Sequence, residues 1–314
     1  MLIGVVFALL ACFVWGMIYV IPTFLVGYNA IEITFMRYVF YGGISSFLLL
    51  VNAKKIFKKY SLRLWMVAFL LALIGHVLYY LLTVIALRLA SPPVTVLIAG
   101  LIPLVIAFYG NWEMKECHFS SLIIPSIAVL IGLVLVNFSE ISGLFEIETP
   151  EEYFFGLFCA FLALLFWSWY AVKNGLVLKS RTSIDHSDWA TIMGVGTLFW
   201  ILIFFGVIAI GWHEKIDWHK YITPSKSLGL FLIGTFFLGT LCSWGGVFFW
   251  NRASAYLPLS VAGPMIIFET LFGLSFVYLV QQKVPSLLEL IGAVSMLLGI
   301  AYILITLRKS RIEP

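Results

Sequence analysis

The chain has 314 residues, of which 62% are hydrophobic, 17% aromatic and only 11% charged, and its formal net charge is +4. A soluble domain is about 45–50% apolar and about 25% charged, and it needs those charges to cover a surface that faces water. The composition therefore argues against soluble enzymes, nucleic-acid-binding proteins and disordered chains, and it predicts an integral membrane protein.

The apolar runs predict ten membrane spans. A spanning helix needs about 20 mostly apolar residues, so ten spans use most of the chain. The first run begins at once, without a basic segment or a small-residue cleavage site, and we interpret it as a retained helix. In chain order the predicted spans are 3–25, 30–51, 63–87, 92–111, 120–137, 154–173, 188–210, 227–250, 256–280 and 286–306.

Lysine and arginine are concentrated in alternate predicted loops. With a cytoplasmic N-terminus, 13 of the 19 fall in the cytoplasm, 5 fall outside, and Arg37 lies within a span. The predicted outer loop 138–153 contains five Glu and no Lys or Arg. Because cytoplasmic loops of membrane proteins are enriched in Lys and Arg, both termini are expected in the cytoplasm. We expect a multi-pass protein of a bacterial inner (plasma) membrane.

The two halves of the sequence show a weak internal repeat. Gly4 precedes Trp15-Gly16 by the same spacing as Gly156 precedes Trp167-Ser168. Each half holds five predicted spans, and an odd number inverts the second half relative to the first, as in many transporters. The predicted organisation is a repeat at 1–137, an acidic outer loop at 138–153, a second repeat at 154–306 and a basic cytoplasmic tail at 307–314.

Several short stretches resemble the drug/metabolite transporter superfamily, specifically its EamA-type members with ten helices. The similarity spans nearly the whole chain. The stretches that carry it are Phe13-Val14-Trp15-Gly16, Met36-Arg37-Tyr38, Ala86-Leu87-Arg88-Leu89-Ala90-Ser91, Pro103, Trp167 and Phe268-Glu269.

This resemblance implies a specific fold, but it does not imply which solute is transported. It implies a central cavity between the two halves, peripheral fifth and tenth helices, and transport of amino acids, nucleotide sugars, cationic drugs or other small metabolites. The family's usual Glu-Pro pair is Glu269-Thr270 here, so a proline-dependent kink is not expected at that point. Glu113 matches the acidic residue that usually follows the fourth helix, whereas its counterpart after the ninth is Gln281.

The third predicted span carries a polar stripe. His76, Tyr79, Tyr80 and Thr83 follow the spacing i, i+3, i+4, i+7, which places all four on one helical face. Lipid would penalise such a face, so it is expected to contact protein or water. One interpretation is the wall of a substrate cavity, with His76 as a proton-sensitive group. The other is a hydrogen-bonded core histidine among aromatic rings.

Glu269 is the only acid deep within a predicted span. An ionised carboxylate in that position needs a partner or water, and otherwise it stays protonated. A functional interpretation makes it a proton-coupling group or an anchor for a substrate ammonium group. A structural interpretation makes it a carboxyl bonded to neighbouring backbone near Gly263-Pro264.

Aromatic residues recur at helical spacing in the first, sixth and eighth spans. They are Trp15 with Tyr19, Trp167 with Tyr170, and Trp244, Trp250 and Asn251. A cavity lined by such rings favours flat or cationic solutes, because each cation–π contact is worth about 0.5–2 kcal/mol. The alternative for any single Trp is the interfacial belt, which fits Trp250 and Trp65 better because they lie near span ends.

Other features of the spans have both a structural and a functional interpretation. Arg37 could extend to the outer interface, pair with Glu32 or bind a substrate carboxylate, and the first is favoured. Lys173 is expected to face cytoplasmic water. Small residues at 128, 132, 292, 295 and 299 permit close helix packing and a possible homodimer. The prolines at 92, 93, 103, 258 and 264 are candidate hinges.

No P-loop, GxSxG or HExxH motif occurs in the sequence, which argues against ATP-driven transport. The four cysteines form no CxxC pattern, and the 213–219 stretch is interpreted as a solvated amphipathic turn. We therefore expect no cofactor, no metal and no nucleic-acid partner, and the expected partners are a small-molecule substrate, the lipid bilayer and protons.

The predicted function is secondary-active, alternating-access transport of a small organic metabolite. An amino-acid-like or amine-bearing solute is favoured, with export or exchange and proton coupling. The predicted substrate-binding residues are Trp15, Tyr19, His76, Tyr79, Tyr80, Trp167, Tyr170, Trp244 and Glu269. The alternatives are an intramembrane lipid-modifying enzyme, which would need His76 and Glu269 to converge, and a lipid flippase, which would need a laterally open groove.

Overall fold

A computed structural model describes residues 1–90, 95, 98–115, 117–136, 138, 150–181, 183–212, 219–282 and 284–310. Every regular element in these ranges is helical. Several positions named above lie outside the described residues, namely Pro92 and Pro93, most of the acidic 138–153 loop, the 213–218 stretch and the end of the basic tail.

The described residues of the first half of the chain form seven α-helices. In order they are α1 (Leu2–Gly16), α2 (Ala30–Val51), α3 (Ala53–Lys59), α4 (Leu62–Ala72), α5 (Tyr79–Leu89), α6 (Ile102–Met114) and α7 (Ser120–Val136). Two 3₁₀ turns, Met17–Tyr19 and Ile21–Phe24, follow α1, and a π-helical segment, Leu73–Leu78, joins α4 to α5.

Eight further α-helices follow in the described residues of the second half. They are α8 (Pro150–Ser180), α9 (His186–Trp212), α10 (His219–Ile222), α11 (Lys226–Phe237), α12 (Gly246–Tyr256), α13 (Leu259–Met265), α14 (Ile267–Gln281) and α15 (Leu287–Ser310). A second π-helical segment, Leu238–Gly245, joins α11 to α12.

Within the described ranges, seven helical segments are long and apolar enough to cross a membrane. They are Leu2–Phe24, Ile31–Val51, Leu62–Ala86, Glu151–Ser180, His186–Val207, Lys226–Tyr256 and Leu259–Val280. Two shorter apolar helices, Ser120–Val136 and Leu287–Ile303, correspond to the fifth and tenth predicted spans. The fourth predicted span lies partly outside the described residues. The chain is thus an all-helical multi-pass membrane protein, and the number ten stays a prediction.

Helices α7 and α15 pack closely on each other through the small residues identified in the sequence. A Cβ added to Gly132 would lie 2.5 Å from the carbonyl oxygen of Gly292, so only glycine allows this approach of the two backbones. The Ser295 hydroxyl donates a hydrogen bond to the carbonyl oxygen of Ala128 at 2.7 Å. These small residues therefore serve contact within the chain, as expected for helix packing in lipid.

Two pairs of predicted spans are interrupted in the structure. The π-helical segments interrupt the third and eighth predicted spans. In the fourth span, α6 begins at Ile102 with Pro103 in its first turn, and in the ninth, α13 gives way to α14 directly after Pro264. Both kinds of interruption leave backbone groups outside the regular α-helical pattern, and π-helical segments are frequent at functional sites.

The two broken spans contact each other at their interruptions. Helix α13 packs on α6, and a Cβ on Gly263 would lie 2.8 Å from the carbonyl oxygen of Pro103. Glycine at this crossing lets the two chain segments touch without a side chain between them. Pro103 of the fourth span thus touches the ninth span at Gly263, the residue that precedes Pro264.

Candidate functional site

Three indole rings form the centre of the candidate site. The centroid of Trp15 lies 6.3 Å from that of Trp167 and 5.6 Å from that of Trp250, and Trp167 and Trp250 are 6.3 Å apart. They come from α1, α8 and α12, so this tryptophan cluster joins the two halves of the chain. Edge-to-face and tilted contacts at these distances are the favourable arrangements of aromatic rings.

The assignment of Trp250 to the interfacial belt is wrong. Its side chain is 1% exposed and packs between Trp15 and Trp167. Its position near the end of a predicted span did not reveal this burial, because hydropathy carries no information on which helix face is covered. Among the described residues its indole Nε1 donor is buried and has no hydrogen-bond partner.

His76 extends the aromatic site from the first π-helical segment. Its ring lies 5.3 Å from the ring of Tyr170, which in turn lies 6.1 Å from Trp167. His76 Nδ1 is 2.7 Å from the Thr197 hydroxyl, and that hydroxyl donates to the carbonyl oxygen of Met193 at 2.9 Å. Since a threonine hydroxyl has one hydrogen, Nδ1 of His76 is the donor to Thr197, which leaves Nε2 as the acceptor of a neutral ring.

Tyr79 connects the tryptophan cluster to Glu269. The Tyr79 ring lies 6.3 Å from Trp167, and Glu269 interacts electrostatically with both Tyr79 and the buried Cys12. Glu269 belongs to the first turn of α14, immediately after the break that follows α13. The first turn of α14 thus lies within electrostatic range of the aromatic site, but His76 bonds to Thr197 and not to Glu269.

Tyr80 and Trp244 lie in an adjoining aromatic group. Tyr80 meets Tyr38 edge to face at 6.2 Å, and Tyr38 stacks on His76 at 6.5 Å. Trp244 stacks on Phe248 and donates from Nε1 to the Thr191 hydroxyl at 3.3 Å. These residues pack in one cluster with Tyr41, which lies 5.8 Å from His76.

Of the nine predicted site residues, the structure therefore brings eight into one continuous aromatic and polar region. The side chain of Tyr19 lies outside the description. The rings are in mutual contact, and Tyr170 is 2% exposed, so the site is closed in this conformation. A surface hollow of about 550 Å³ is lined by Ser275, Tyr278, Leu279, Gln282 and Pro285 and shares no residue with the site.

Arg37 points into the molecule, contrary to the favoured interpretation. Its Nε donates to the Ser243 hydroxyl at 2.8 Å, and Ser243 belongs to the second π-helical segment. The alternative of a pairing with Glu32 is not found among the described residues, where Glu32 binds Lys220 and Tyr221. The pattern of α2 does not reveal which neighbour the Arg37 side chain meets, so the sequence alone favours extension to the outer interface.

A polar cluster closes one end of the interface between the halves. Lys220 Nζ lies 2.7 Å from Glu32 Oε1, and the Tyr221 hydroxyl donates to the same oxygen at 2.5 Å. Asn29 and Glu32 also form a capping box that fixes the start of α2. Contacts between α2 and α10 therefore connect positions 29–32 of the first half to positions 220–221 of the second.

A second polar cluster closes the other end. The Asp188 carboxylate, which is 6% exposed, lies 3.2 Å from Lys55 Nζ and 3.5 Å from Lys59 Nζ, and it accepts a hydrogen bond from the Tyr60 hydroxyl at 3.0 Å. Burial, followed by the bond to Asp188 and its negative charge, raises the pKa of the Tyr60 hydroxyl. Tyr60 therefore stays protonated and acts as a donor.

Asp185 fixes the start of α9 beside this cluster. Its Oδ1 accepts hydrogen bonds at 3.0 Å from the backbone N–H groups of Ser187 and Asp188. Burial alone would raise the pKa of the Asp185 carboxyl, but these N–H groups and the charges of Lys55 and Lys59 outweigh it and lower the pKa. The Asp185 carboxylate thus caps the start of α9 and also attracts Lys55 and Lys59 of the first half.

Lys173, for which the sequence predicts only contact with cytoplasmic water, also forms an ion pair. Its Nζ lies 2.7 Å from Glu113 Oε1 and 5.6 Å from the centre of the Tyr109 ring. This ion pair joins the end of α6 to α8 across the two halves, and it uses the acid that the family resemblance pointed to.

A buried amide chain lies beside the tryptophan cluster. Trp189 Nε1 donates to Asn174 Oδ1 at 2.8 Å, and Asn174 Nδ2 donates to Asn251 Oδ1 at 2.9 Å. Within the described part of the chain, Nδ2 of Asn251 is buried without a hydrogen-bond partner. No group of three or more His, Cys, Asp and Glu residues among the described positions is arranged to hold a metal ion.

Comparison with known proteins decides the family. Residues 2–138 match the model of the EamA-like transporter family. The inner membrane protein YtfF of Escherichia coli (strain K12) is 30% identical over 311 residues, which cover 96% of this chain and 94% of that protein. The chain belongs to the EamA-like transporter family. The resemblance identified from the short motifs is confirmed.

A solved crystal structure also shares the fold of this EamA-like transporter. The two superpose with a TM-score of 0.74 over 99% of each chain, at 17% sequence identity. Membership in the family makes the chain a multi-pass membrane transporter of small molecules. In this EamA-like transporter, Trp250, Tyr38 and Tyr41 contact the candidate site residues, although the sequence did not single them out for the site.

Proposed function

We propose that this EamA-like transporter is a secondary carrier that moves an amino-acid-like or amine-bearing metabolite by alternating access. It acts as an exporter or exchanger in a bacterial inner membrane. The observation that carries the proposal is the placement of four span interruptions around the tryptophan cluster. Discontinuous helices around a central site are typical of secondary transporters, because they can bend without losing their membrane span.

The proposed architecture consists of two inverted five-helix repeats, at 1–137 and 154–306. In support, the π-helical segments begin 165 residues apart, at Leu73 and Leu238. The broken fourth and ninth spans touch at Pro103 and Gly263. Repeats of this kind can exchange conformations, so that movement of one half relative to the other opens the site to alternate sides.

The polar clusters at the two ends fit this mechanism. One end is held by Glu32 with Lys220, and the other by Asp188 with Lys55 and by Glu113 with Lys173. In an alternating cycle one set of contacts breaks while the other holds. A solute drives such a change only by the difference between its affinities for the two conformations.

The chemistry of the site favours a flat or cationic organic solute. Separation of the rings of Trp15, Trp167 and Trp250 would present π-faces to a bound amine or aromatic group, at about 0.5–2 kcal/mol for each cation–π contact. Glu269 beside Tyr79 is the proposed ammonium anchor or proton-coupling group. The neutral His76 ring, with Nε2 as acceptor, is the proposed proton-sensitive neighbour.

Uptake by proteoliposomes tests the proposal. Purified protein is reconstituted and assayed for uptake and counterflow of labelled amino acids, amines and nucleotide-linked solutes. We expect saturable flux of at least one amino acid or amine, which Trp167→Ala reduces and Trp112→Ala does not, since Trp112 is 69% exposed and outside the site. Absence of saturable flux for every solute in the panel would contradict the proposal.

A further inference from the structure

We propose that the Arg37 guanidinium binds a carboxylate group of the transported solute. This inference rests on the proposed transport function and specifies the chemistry of the same site. It makes the preferred solute a carboxylate-bearing molecule, and not a simple amine.

The direction of the Arg37 side chain is the first argument. Helices α2 and α11 run parallel, since Tyr28 stacks on Phe231 before α2 begins and a Cβ on Gly239 would lie 2.5 Å from the carbonyl oxygen of Arg37. Ser243 lies one helical turn beyond Gly239, away from the end where α2 starts. Because Arg37 Nε reaches Ser243, the side chain extends toward the interior and not back to the nearer interface.

The hydrogen bonds of Ser243 fix the orientation of the guanidinium. The Ser243 hydroxyl donates to the carbonyl oxygen of Leu238 at 2.9 Å, so its oxygen accepts from Arg37 Nε. This hydrogen bond to the second π-helical segment fixes the Nε edge of the planar guanidinium group. The two terminal nitrogens, Nη1 and Nη2, make no hydrogen bond to any described residue. Their parallel N–H groups match the two oxygens of a carboxylate.

The charge of Arg37 is the second argument. No acidic side chain among the described residues forms an ion pair with it, because Glu32, which precedes it on α2, is bound to Lys220. A cation within a membrane span is costly unless an anion or water compensates it. A solute carboxylate would supply that anion only when the site is occupied, so the interaction favours loading of the carrier.

The surroundings of Arg37 place this anion site within the aromatic region. The guanidinium carbon lies 5.5 Å from the centre of the Tyr38 ring, and Tyr38 donates a hydrogen bond to the carbonyl oxygen of His76. Arg37 interacts electrostatically with His76, and Glu269 does so with Tyr79, three residues further along the same span. A guanidinium and a carboxyl group thus both act on one stripe of the third span, and a zwitterionic solute would need this pair of groups.

The test compares four related probes on purified protein. They are L-phenylalanine, its amide, phenethylamine and 3-phenylpropionate, which together keep or remove the carboxylate and the ammonium group separately. Binding is measured by equilibrium titration for wild type, Arg37→Gln, Arg37→Lys and the control Lys226→Gln, which removes an exposed charge. We expect wild type to bind the two carboxylate-bearing probes more tightly than the amide and the amine.

Arg37→Gln is expected to weaken binding of the two carboxylate-bearing probes at least tenfold and to leave the amide and the amine within twofold. Arg37→Lys should weaken binding of the two carboxylate-bearing probes by a smaller factor and should again leave the amide and the amine unaffected. If Arg37→Gln does not fold, the result for Arg37→Lys tests the proposal. An equal loss for all four probes, or a wild-type preference for the amide and the amine, overturns the Arg37 proposal while transport stands. Failure of wild type to bind any probe overturns both the Arg37 proposal and the amino-acid-like solute class.

Discussion

The indole rings of Trp15 and Trp167 meet edge to face, with their centroids 6.3 Å apart and their planes at 77°. The two residues occupy matching places in the first and sixth spans, each eleven residues after a glycine. Trp250 contacts both of them, so the contact between the two halves at the site is aromatic and largely buried. A contact of this kind can separate and re-form without breaking an ion pair.

Trp167→Phe is expected to weaken the apparent affinity for the transported solute by about 2- to 30-fold. A cation–π contact is worth about 0.5–2 kcal/mol and indole is the best ring for it, so the range spans the loss of up to the whole contact when the smaller phenyl ring replaces the indole. Uptake kinetics in proteoliposomes measure the KM. Trp112→Phe is the matched control and should leave KM unchanged, and equal KM values for Trp167→Phe and wild type would remove Trp167 from the binding site.

Asp188→Asn is expected to lower the melting temperature by about 2–4 °C, the effect of about 1 kcal/mol in a protein of this size. The substitution removes the attraction to Lys55 and Lys59 but keeps an oxygen for the Tyr60 hydroxyl. Because salt screens ion pairs, the difference from wild type should shrink at 1 M salt.

Lys58→Gln is the control for this variant, since Lys58 lies on α3 beside the cluster and is exposed, with no ion pair to a described residue. It should melt at the wild-type temperature. A salt-independent loss in Asp188→Asn would show that packing, and not charge, holds this end together.

Asp185→Ala is expected to destabilise the protein at pH 7 by about 1 kcal/mol, the usual cost of losing a helix N-cap. The pKa of Asp185 is lowered in the folded state, so its contribution is present above its unfolded pKa of about 3.9 and is lost as the pH falls through the folded value. Melting curves from pH 7 to pH 3 should therefore converge at the acid end. A constant difference across this range would contradict the role assigned to the carboxylate.

Glu269→Gln is expected to abolish the pH dependence of transport, because the amide cannot exchange a proton at the position where the carboxyl adjoins Tyr79 and Cys12. Uptake is measured at several pH values with and without an imposed pH gradient. Glu113→Gln, which changes an acid at the end of α6, should keep the wild-type pH profile. An unchanged profile in Glu269→Gln would remove Glu269 from proton coupling.

Sequence patterns predicted the aromatic site well where a helical face is marked by several residues. His76, Tyr79 and Tyr80 share a stripe, and the structure places all three in the aromatic region. Isolated residues were harder to place. Trp250 was assigned to the interface and Arg37 to the outer surface, because one residue near a span end has no periodicity from which its environment can be inferred.

The sequence by itself determined the membrane character, the position of most spans, the family and the residues that a polar or aromatic stripe marks. These follow from composition and from the period of one helix, which are local properties of the chain. Only the tertiary structure decided that Arg37 turns inward to Ser243, that Asp188 binds Lys55 and Lys59, and that Trp250 completes the tryptophan cluster. Each of these contacts joins residues that are far apart in the sequence, and which helix faces meet depends on the packing of the whole bundle.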